Sequence, residues 1–398
     1  MDDSTPTPRG ILAALALCML LPALGTSIAT VALPALAAAF GATFEQARWV
    51  VLAYLLSVTA LIVGAGRLGD RLGRRRLLLA GIGLFTAASA LAGAAPTLGL
   101  LVAARVLQGL GAAAMMALTL AFAAGSVPKA KAGRAMGLLG SVSAAGTALG
   151  PALGGLLVAR AGWPAVFLVG VPLGGLAFGL AWRHLPADAP RAGAPAPSWP
   201  MLRDPALLGR LVPNLLVAAV VMSTLVVGPF HLARAFGLDA ARVGLAMSVG
   251  PVVAALAGAP SGRLVDRFGA SAMARAGLAT LLAGCLGLGL APDAAGLVGY
   301  LVPLAIVTAG YALFQAGNQT AVMADAPDTQ RGVVSGLLNL SRQLGFVAGT
   351  AVLGAVFAVT GLRTTFAVAA VLAALALAVT ARTGSGTATA PAARPSRG

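Results

Sequence analysis

The sequence predicts an all-α membrane protein with twelve transmembrane helices in two pseudo-symmetric bundles of six. Three observations support this fold class. Hydrophobic residues make up 59% of the 398 residues, charged residues only 10%, and the mean hydropathy is +0.93, so there are too few charges to cover a water-soluble domain. Apolar runs long enough to cross a bilayer recur along the whole chain. The two halves also share short repeated segments.

Glycine, proline or charged residues separate the apolar runs and divide them into six helices in each half. The first bundle is predicted over residues 11–182 and the second over residues 207–382. The twelve predicted helices are 11–39, 46–65, 77–95, 98–124, 133–159, 163–182, 207–234, 243–262, 273–291, 296–323, 332–360 and 363–381.

The segments outside the bundles are predicted to be cytoplasmic. Residues 183–206 contain six prolines, which a membrane helix cannot accommodate, and are interpreted as an interdomain linker. Residues 1–10 and the Gly-, Ser- and Pro-containing residues 383–398 are interpreted as tails, with disorder predicted for residues 1–9 and 383–398. The first apolar run exceeds the core of a signal peptide and is therefore expected to remain as the first helix.

The distribution of charge fixes the predicted orientation. With the N-terminus in the cytoplasm, 20 of the 27 Lys and Arg residues fall in cytoplasmic segments, five on the opposite side and two within helices. This is the bias of a multi-pass protein of a bacterial-type inner membrane with both termini cytoplasmic. The net charge of +16 does not indicate nucleic acid, because no basic cluster is interleaved with aromatic residues.

The halves are related in sequence. GRLGDRLG at residues 66–73 recurs as GRLVDRFG at residues 262–269, with six identities in eight and an offset of 196, and the same offset maps residues 39–41 onto 235–237. Parallel six-helix repeats are typical of transporters that work by alternating access.

No feature of the sequence indicates enzymatic chemistry. Cys18 and Cys285 both lie inside apolar runs, so neither a disulfide nor a reactive thiol is expected. No catalytic, nucleotide-binding or metal-binding pattern occurs, and we expect a monomer without a cofactor or metal whose partners are a small molecule, protons and the lipid bilayer.

The segment GRLGDRLGRRR at residues 66–76 resembles the signature loop of the major facilitator superfamily. The resemblance extends over nearly the whole chain and implies that fold, and for this loop a conformational latch at the cytoplasmic face. Its glycines permit a tight turn, its aspartate can face a helix N-terminus, and its arginines can bind carboxylates or lipid phosphates. The predicted latch residues are Gly66, Asp70, Arg71, Gly73, Arg74, Arg75, Asp266 and Arg267.

Helices 4 and 5 carry two further resemblances. The segment from Arg105 to Ala113 is similar to the family's buried-arginine segment, and helix 5 is similar to the pattern that marks its antiporters. Three of the helix 5 glycines fall on one helical face and allow close packing against another helix. The residues of this antiporter helix are Gly137, Gly146, Gly150, Pro151, Gly154 and Gly155.

Within the superfamily the sequence resembles the drug:proton antiporters, in a twelve-helix form. It departs from them at Gly25, where that branch usually has an aspartate. All eleven carboxylates lie in predicted loops, tails or helix ends, whereas Arg105 and Arg342 lie within helices. An arginine inside the bilayer needs compensation, so we expect anionic or hydrogen-bond-accepting cargo to supply part of it. The candidates for proton coupling are His231 and Asp325.

Polar residues inside the predicted helices indicate a central cavity, although hydrogen bonding between helices explains them equally well. The candidate lining residues are Tyr54, Arg105, Gln108, Asn214, Tyr311, Gln315, Asn318, Asn339, Arg342 and Gln343.

The expected function is export of a small drug-like or metabolite-like molecule by alternating access, with protons moving inward. Two alternatives remain at this point: an importer or symporter of a small anionic or neutral solute, and a membrane sensor that kept the fold and lost transport.

Overall fold

The computed structural model describes residues 8–126, 129–186, 204–290, 295–326 and 331–385. These ranges are helical apart from turns and short connections and contain no strand. The predicted tails and linker fall largely outside them. The helices are α1 (Pro8–Phe40), α2 (Phe44–Ala47), α3 (Trp49–Leu72), α4 (Arg74–Gly93), α5 (Leu98–Ser126), α6 (Lys129–Ala161), α7 (Pro164–Leu168), α8 (Gly170–His184), α9 (Pro205–Ala235), α10 (Ala240–Met247), α11 (Val249–Phe268), α12 (Ala270–Leu290), α13 (Gly296–Asp325), α14 (Arg331–Ala348), a π-helix (Gly349–Leu353) and α15 (Gly354–Ser385).

The described residues supply twelve helical crossings, which confirms the predicted fold class. Ten stretches are long and apolar enough to span a membrane. One of them, Val333–Arg382, is interrupted at Gly361, where φ is +80° and ψ is −169°, so it forms two crossings. The 33-residue α6 adds the twelfth.

Glycines with positive φ form the reversals at corresponding places in the two halves. Gly41 and Gly237 have φ of 58° and 61°, and Gly73 and Gly269 have φ of 96° and 87°. Both pairs are separated by 196 residues, the offset of the sequence repeat. Only glycine adopts this backbone region without a steric penalty, so the repeat preserves the turns of the fold.

The signature segment is less of a loop than we expected. Helix α3 continues to Leu72 and α4 begins at Arg74, so Gly73 alone separates them, and Gly269 separates α11 from α12 in the same way. The prediction ended the second helix at residue 65 because charges begin there. A helix that projects beyond the hydrocarbon can carry those charges to solvent without breaking.

Each bundle has its own hydrophobic core, and the two cores meet along α1 and α9. The first core contains Met222 and Phe230 of α9, and the second contains Val31 of α1. We call the side of the molecule where α1 begins and α15 ends the terminus side.

The bundles contact each other on the side opposite the termini. In α6, a Cβ added at Gly155 would collide with the Cα of Gly244 in α10, so the two backbones touch. Arg48 donates a hydrogen bond from Nη1 to the carbonyl of Ala351 in the π-helix, at 3.1 Å. The ring of Phe44 packs edge-on against Phe230, with centroids 4.7 Å apart. These contacts form a closed junction on that side.

Replacing Gly155 with Leu should open this junction, because the added side chain occupies the space now filled by the backbone of α10. Spin labels are attached at Glu45→Cys and Arg242→Cys, one exposed residue on each bundle. Double electron–electron resonance measures the distance between the two labels. We expect a longer mean distance in Gly155→Leu. Gly175→Leu is the control, since a Cβ at Gly175 meets nothing within 4 Å. Identical distances in both variants would show that the glycine contact does not hold the junction closed.

Candidate functional site

Arg105 of α5 is fully buried within the first bundle, and other groups of the protein satisfy its guanidinium. Its Nε donates to the carbonyl of Val50 at 2.9 Å and its Nη2 to the carbonyl of Gly25 at 3.0 Å. Its Nη1 donates to Oε1 of Gln108, one turn further along the same helix. The bonds to Val50 and Gly25 tie α5 to α3 and α1.

Two side chains around Arg105 extend this network to a fourth helix. The Tyr54 ring lies 4.1 Å below the guanidinium carbon, and its hydroxyl donates to the carbonyl of Pro22 at 2.8 Å. Gln108 donates from Nε2 to the hydroxyl of Ser89 in α4 at 2.7 Å. Tyr54, Arg105 and Gln108 therefore connect α1, α3, α4 and α5.

The expectation that cargo compensates Arg105 is corrected by this geometry. The sequence showed no acid nearby, but it could not show that two backbone carbonyls and an amide converge on the guanidinium. One of these carbonyls belongs to Gly25, the position where the resembling branch usually has an aspartate. At this position the main chain supplies an oxygen to the guanidinium.

Two predicted cavity residues of the second bundle also bind other helices. Asn214 of α9 donates to the carbonyl of Leu338 at 2.9 Å and to the hydroxyl of Ser341 at 2.7 Å. Asn318 of α13 is 1% exposed and donates to the carbonyl of Arg210 at 3.3 Å. Both amides act in helix packing, the alternative that the sequence left open.

Arg342 differs from Arg105 in how its guanidinium is satisfied. It is partly buried on α14, and its Nη2 donates to Oδ1 of Asn339 at 2.8 Å. The hydroxyl of Tyr311 on α13 lies close to the same group. Its Nε is buried and has no hydrogen-bond partner among the described residues.

The neighbouring Gln343 is 2% exposed and turns towards the first bundle. Its Nε2 lies 3.8 Å from the sulfur of Met116 in α5, and its Oε1 has no partner in the described part of the chain. One turn further on, Phe346 packs into the first core. This face of α14, together with Tyr311 and the partly buried Gln315, forms the candidate site between the bundles.

The described latch residues contact their own bundle or solvent. Arg75 donates to the carbonyl of Trp182 in α8, and its guanidinium lies 5.2 Å from the ring of that tryptophan. Arg71 is exposed, and so are Asp266 and Arg267 in the second half. The surroundings of Gly66 and the side chains of Arg67 and Asp70 lie outside the described part of the structure.

Three glycines of the predicted antiporter helix α6 pack against α1. A Cβ added at Gly146 would lie 2.8 Å from the carbonyl oxygen of Leu20. A Cβ added at Gly150 would lie 2.8 Å from the backbone nitrogen of Ile28, and one added at Gly154 would lie 2.8 Å from the carbonyl oxygen of Ile28. Gly155 instead faces the second bundle. The surroundings of Gly137 are not described.

The proton-coupling candidates are far from the Arg342 face or undescribed. His231 of α9 borders a cavity of about 480 Å³ on the side opposite the termini, with Tyr300, Thr360 and Arg363. The side chain of Asp325 lies outside the described part of the structure.

The carboxylates with described side chains are all exposed. Glu45, Asp204, Asp239 and Asp266 lie at or near helix ends, and two of them cap helices. Asp204 accepts from the backbone nitrogen of Ala206 at 3.0 Å, and Asp239 accepts from that of Arg242 at 2.8 Å. No carboxylate is buried among these described side chains.

The cross-bundle bond of Arg48 is a functional candidate that sequence reasoning missed. Its charge assigned it to the side opposite the termini, but only the fold brings the Ala351 carbonyl to it.

Comparison with known proteins places the chain among transporters. The family model for the Major Facilitator Superfamily matches residues 15–350. The uncharacterized transporter YebQ of Escherichia coli is 28% identical over 439 residues, which cover 95% of this chain and 96% of that protein. The solved structure of a bacterial homologue of the human lysosomal transporter Spinster, inward-facing and occupied, superposes with a TM-score of 0.77 at 17% identity, over 98% of this chain and 100% of that one.

Other relatives match over short stretches. The multidrug efflux pump LfrA of Mycolicibacterium smegmatis is 47% identical over 117 residues, which are 29% of this chain and 23% of that pump. An uncharacterized MFS-type transporter of Mycobacterium tuberculosis is 42% identical over 125 residues, 31% of this chain and 18% of its own length. The similarity to efflux pumps is therefore local, and it supports the resemblance to the drug:proton antiporter branch.

Replacing Arg105 with Gln should destabilise the first bundle, because it removes the hydrogen bonds that the guanidinium donates to the buried carbonyls of Gly25 and Val50. A hydrogen bond from a charged group contributes about 1.5 to 3 kcal/mol. We expect the melting temperature of the purified protein to fall by several degrees. Arg242→Gln is the control, since that side chain is 73% exposed and bonds only locally. Equal melting temperatures for Arg105→Gln and the wild type would contradict a structural role.

Proposed function

Because the chain belongs to the major facilitator superfamily, we propose that it is a secondary active transporter that exports a small organic molecule by alternating access in exchange for protons. The observation that carries this proposal is the arrangement of the bundles. They are joined on the side opposite the termini, and between them lies a partly buried polar face with atoms that have no partner among the described residues. A site between two bundles that close on one side suits alternating access.

The orientation follows from the charge distribution. With the termini in the cytoplasm of a bacterial-type inner membrane, the closed junction faces outward and the Arg342 face is reached from the cytoplasm. The bundles then comprise residues 11–182 and 207–382, with a cytoplasmic linker at 183–206 and tails at 1–10 and 383–398. We take the monomer as the working unit.

The proposed direction rests on α6 and on the relatives. Its glycines pack α6 against α1, and Gly155 meets the second bundle, so one helix couples the core of the first bundle to the junction. The pattern resembles that of antiporters, and one relative is named as a multidrug efflux pump. Symport of an anionic solute remains the competing function, because Arg342 would suit an anion moving in either direction.

None of the described carboxylates is buried, so we propose that other groups carry the coupled proton. His231, beside its cavity, and Asp325, near the end of α13, are the proposed carriers. The segment around Gly73 and its counterpart around Gly269 are the proposed latch that controls opening on the terminus side.

The latch predicts a difference between two matched aspartates. Asp70→Asn should slow transport and shift the conformational equilibrium, because the segment loses the negative group proposed to face a helix N-terminus. The counterpart Asp266→Asn, in the shorter repeat without the following arginines, should have a smaller effect. Cysteine accessibility on both membrane faces measures the equilibrium. Wild-type accessibility and rate in Asp70→Asn would remove its latch role.

The sign of an imposed pH gradient distinguishes the two directions of coupling. Proteoliposomes are offered 4-amino-1-naphthalenesulfonate, a permanent anion whose accumulation is read by fluorescence. Antiport predicts accumulation when the lumen is acidic, and symport when the lumen is alkaline, whichever way the protein is inserted. A protonophore, which dissipates the pH gradient, should abolish accumulation in both cases. The absence of gradient-driven uptake of this anion and of a matched permanent cation would contradict both transport functions and favour a sensor.

A further inference from the structure

The polar groups inside the membrane fall into two classes according to whether their hydrogen bonds are made. Arg105, Gln108 and Tyr54 bond within the first bundle, and Asn214 and Asn318 bond within the second. The hydrogen bonds of these groups thus connect helices within a single bundle. The two embedded arginines, which are alike in the sequence, thus have different roles.

The second class lies on α14. Two consecutive side chains there each retain a buried atom without a hydrogen-bond partner in the described residues: Nε of Arg342, a donor, and Oε1 of Gln343, an acceptor. Gln343 is 98% buried, so the unmet acceptor is not satisfied by bulk solvent. Buried polar groups in folded proteins are nearly always paired, which makes this adjacent donor and acceptor informative.

Nε of Arg342 and Oε1 of Gln343 lie on different sides of the α14 face. Arg342 is directed to α13, where Tyr311 approaches it, and Gln343 is directed to Met116 of α5. A molecule lying along this face meets a cationic donor on its α13 side and an amide acceptor on its α5 side. Met116 and Phe346 supply apolar surface next to these groups.

The electrostatics at this face favour an anion. Asn339 is uncharged, and the carboxylates with described side chains are exposed at or near helix ends. An arginine within the bilayer normally pairs with an opposite charge or with carbonyls. Arg105 has its carbonyls, whereas the structure shows Arg342 with a single neutral acceptor and a nearby phenol.

We propose that Arg342 binds the anionic group of the transported molecule and that Gln343 accepts a hydrogen bond from a donor elsewhere on it. The substrate class is thus an organic anion with an apolar body and at least one N–H or O–H group. This proposal rests on the proposed transport function and specifies the class of molecule that is transported. Lipophilic cations are disfavoured because the face presents a positive charge.

Equilibrium binding to the full-length protein in nanodiscs tests the proposal with three probes of one ring system. They are 4-amino-1-naphthalenesulfonate, 1-naphthalenesulfonate and trimethyl(1-naphthylmethyl)ammonium. The first should bind tightest, the second more weakly because it lacks the donor, and the cation weakest. Arg342→Gln should weaken both sulfonates by about tenfold or more, as expected for the loss of a charge-assisted hydrogen bond. Gln343→Leu should abolish the preference for the amino compound.

Matched variants exclude a folding defect. Arg342→Lys keeps the charge and should lose less affinity than Arg342→Gln, while Arg242→Gln, an exposed arginine of the same bundle, should bind all three probes like the wild type. Melting temperatures of each variant accompany the titrations. Loss of affinity in Arg342→Gln at an unchanged melting temperature supports the proposal.

Several outcomes would overturn it. These are sulfonate affinity that is unchanged in Arg342→Gln, no saturable sulfonate binding to the wild type, or cation binding at least as tight as that of the sulfonates. Failure of the transport function gives a different result: sulfonates bind through Arg342, but neither sign of pH gradient drives their uptake. Cargo recognition and transport are thereby judged separately.

Discussion

Hydrocarbon offers no hydrogen-bond partner, and this constraint orders the interior of the protein. The chain meets it most completely at Arg105, whose guanidinium is surrounded by carbonyls of two neighbouring helices, an amide one turn away and the face of an aromatic ring. Each of these groups would be costly to bury alone, and together they satisfy one another. The charge therefore stabilises the packing of four helices. This role explains why Arg105 lies in the bundle interior.

Close backbone approach is the second means by which the helices associate. Lipid tails are as apolar as leucine, so apolar contact alone gives little reason for one helix to prefer another. In α6, glycines bring the main chain against α1 on one face and against α10 on another. The first contact lies within a bundle and the second lies between bundles. One helix thus combines a permanent contact with one that alternating access must break and remake.

Much of the fold could be predicted from the sequence because bilayer thickness and helix period impose regular lengths on apolar runs. The twelve crossings followed from this, and the twofold repeat followed from the recurrence of residues 66–73 at 262–269. The extension of α3 to Leu72 could not, because the end of an apolar run marks the edge of the membrane and not the end of the helix. The same limit applies to the polar residues. Arg105 and Arg342 look equivalent in one dimension, and only the positions of main-chain carbonyls, which no side-chain pattern encodes, separate them.

The paired turn glycines also bear on the history of the gene. Gly41 and Gly73 recur as Gly237 and Gly269 at one common offset and share the same unusual backbone region, while many residues between them differ between the halves. After a duplication, a position that only glycine can occupy tolerates fewer replacements than a lipid-facing position, where any apolar side chain suffices. The turns would then retain the ancestral sequence longest. In this chain the register of an ancestral six-helix unit is best read from its bends and from the helix ends beside them.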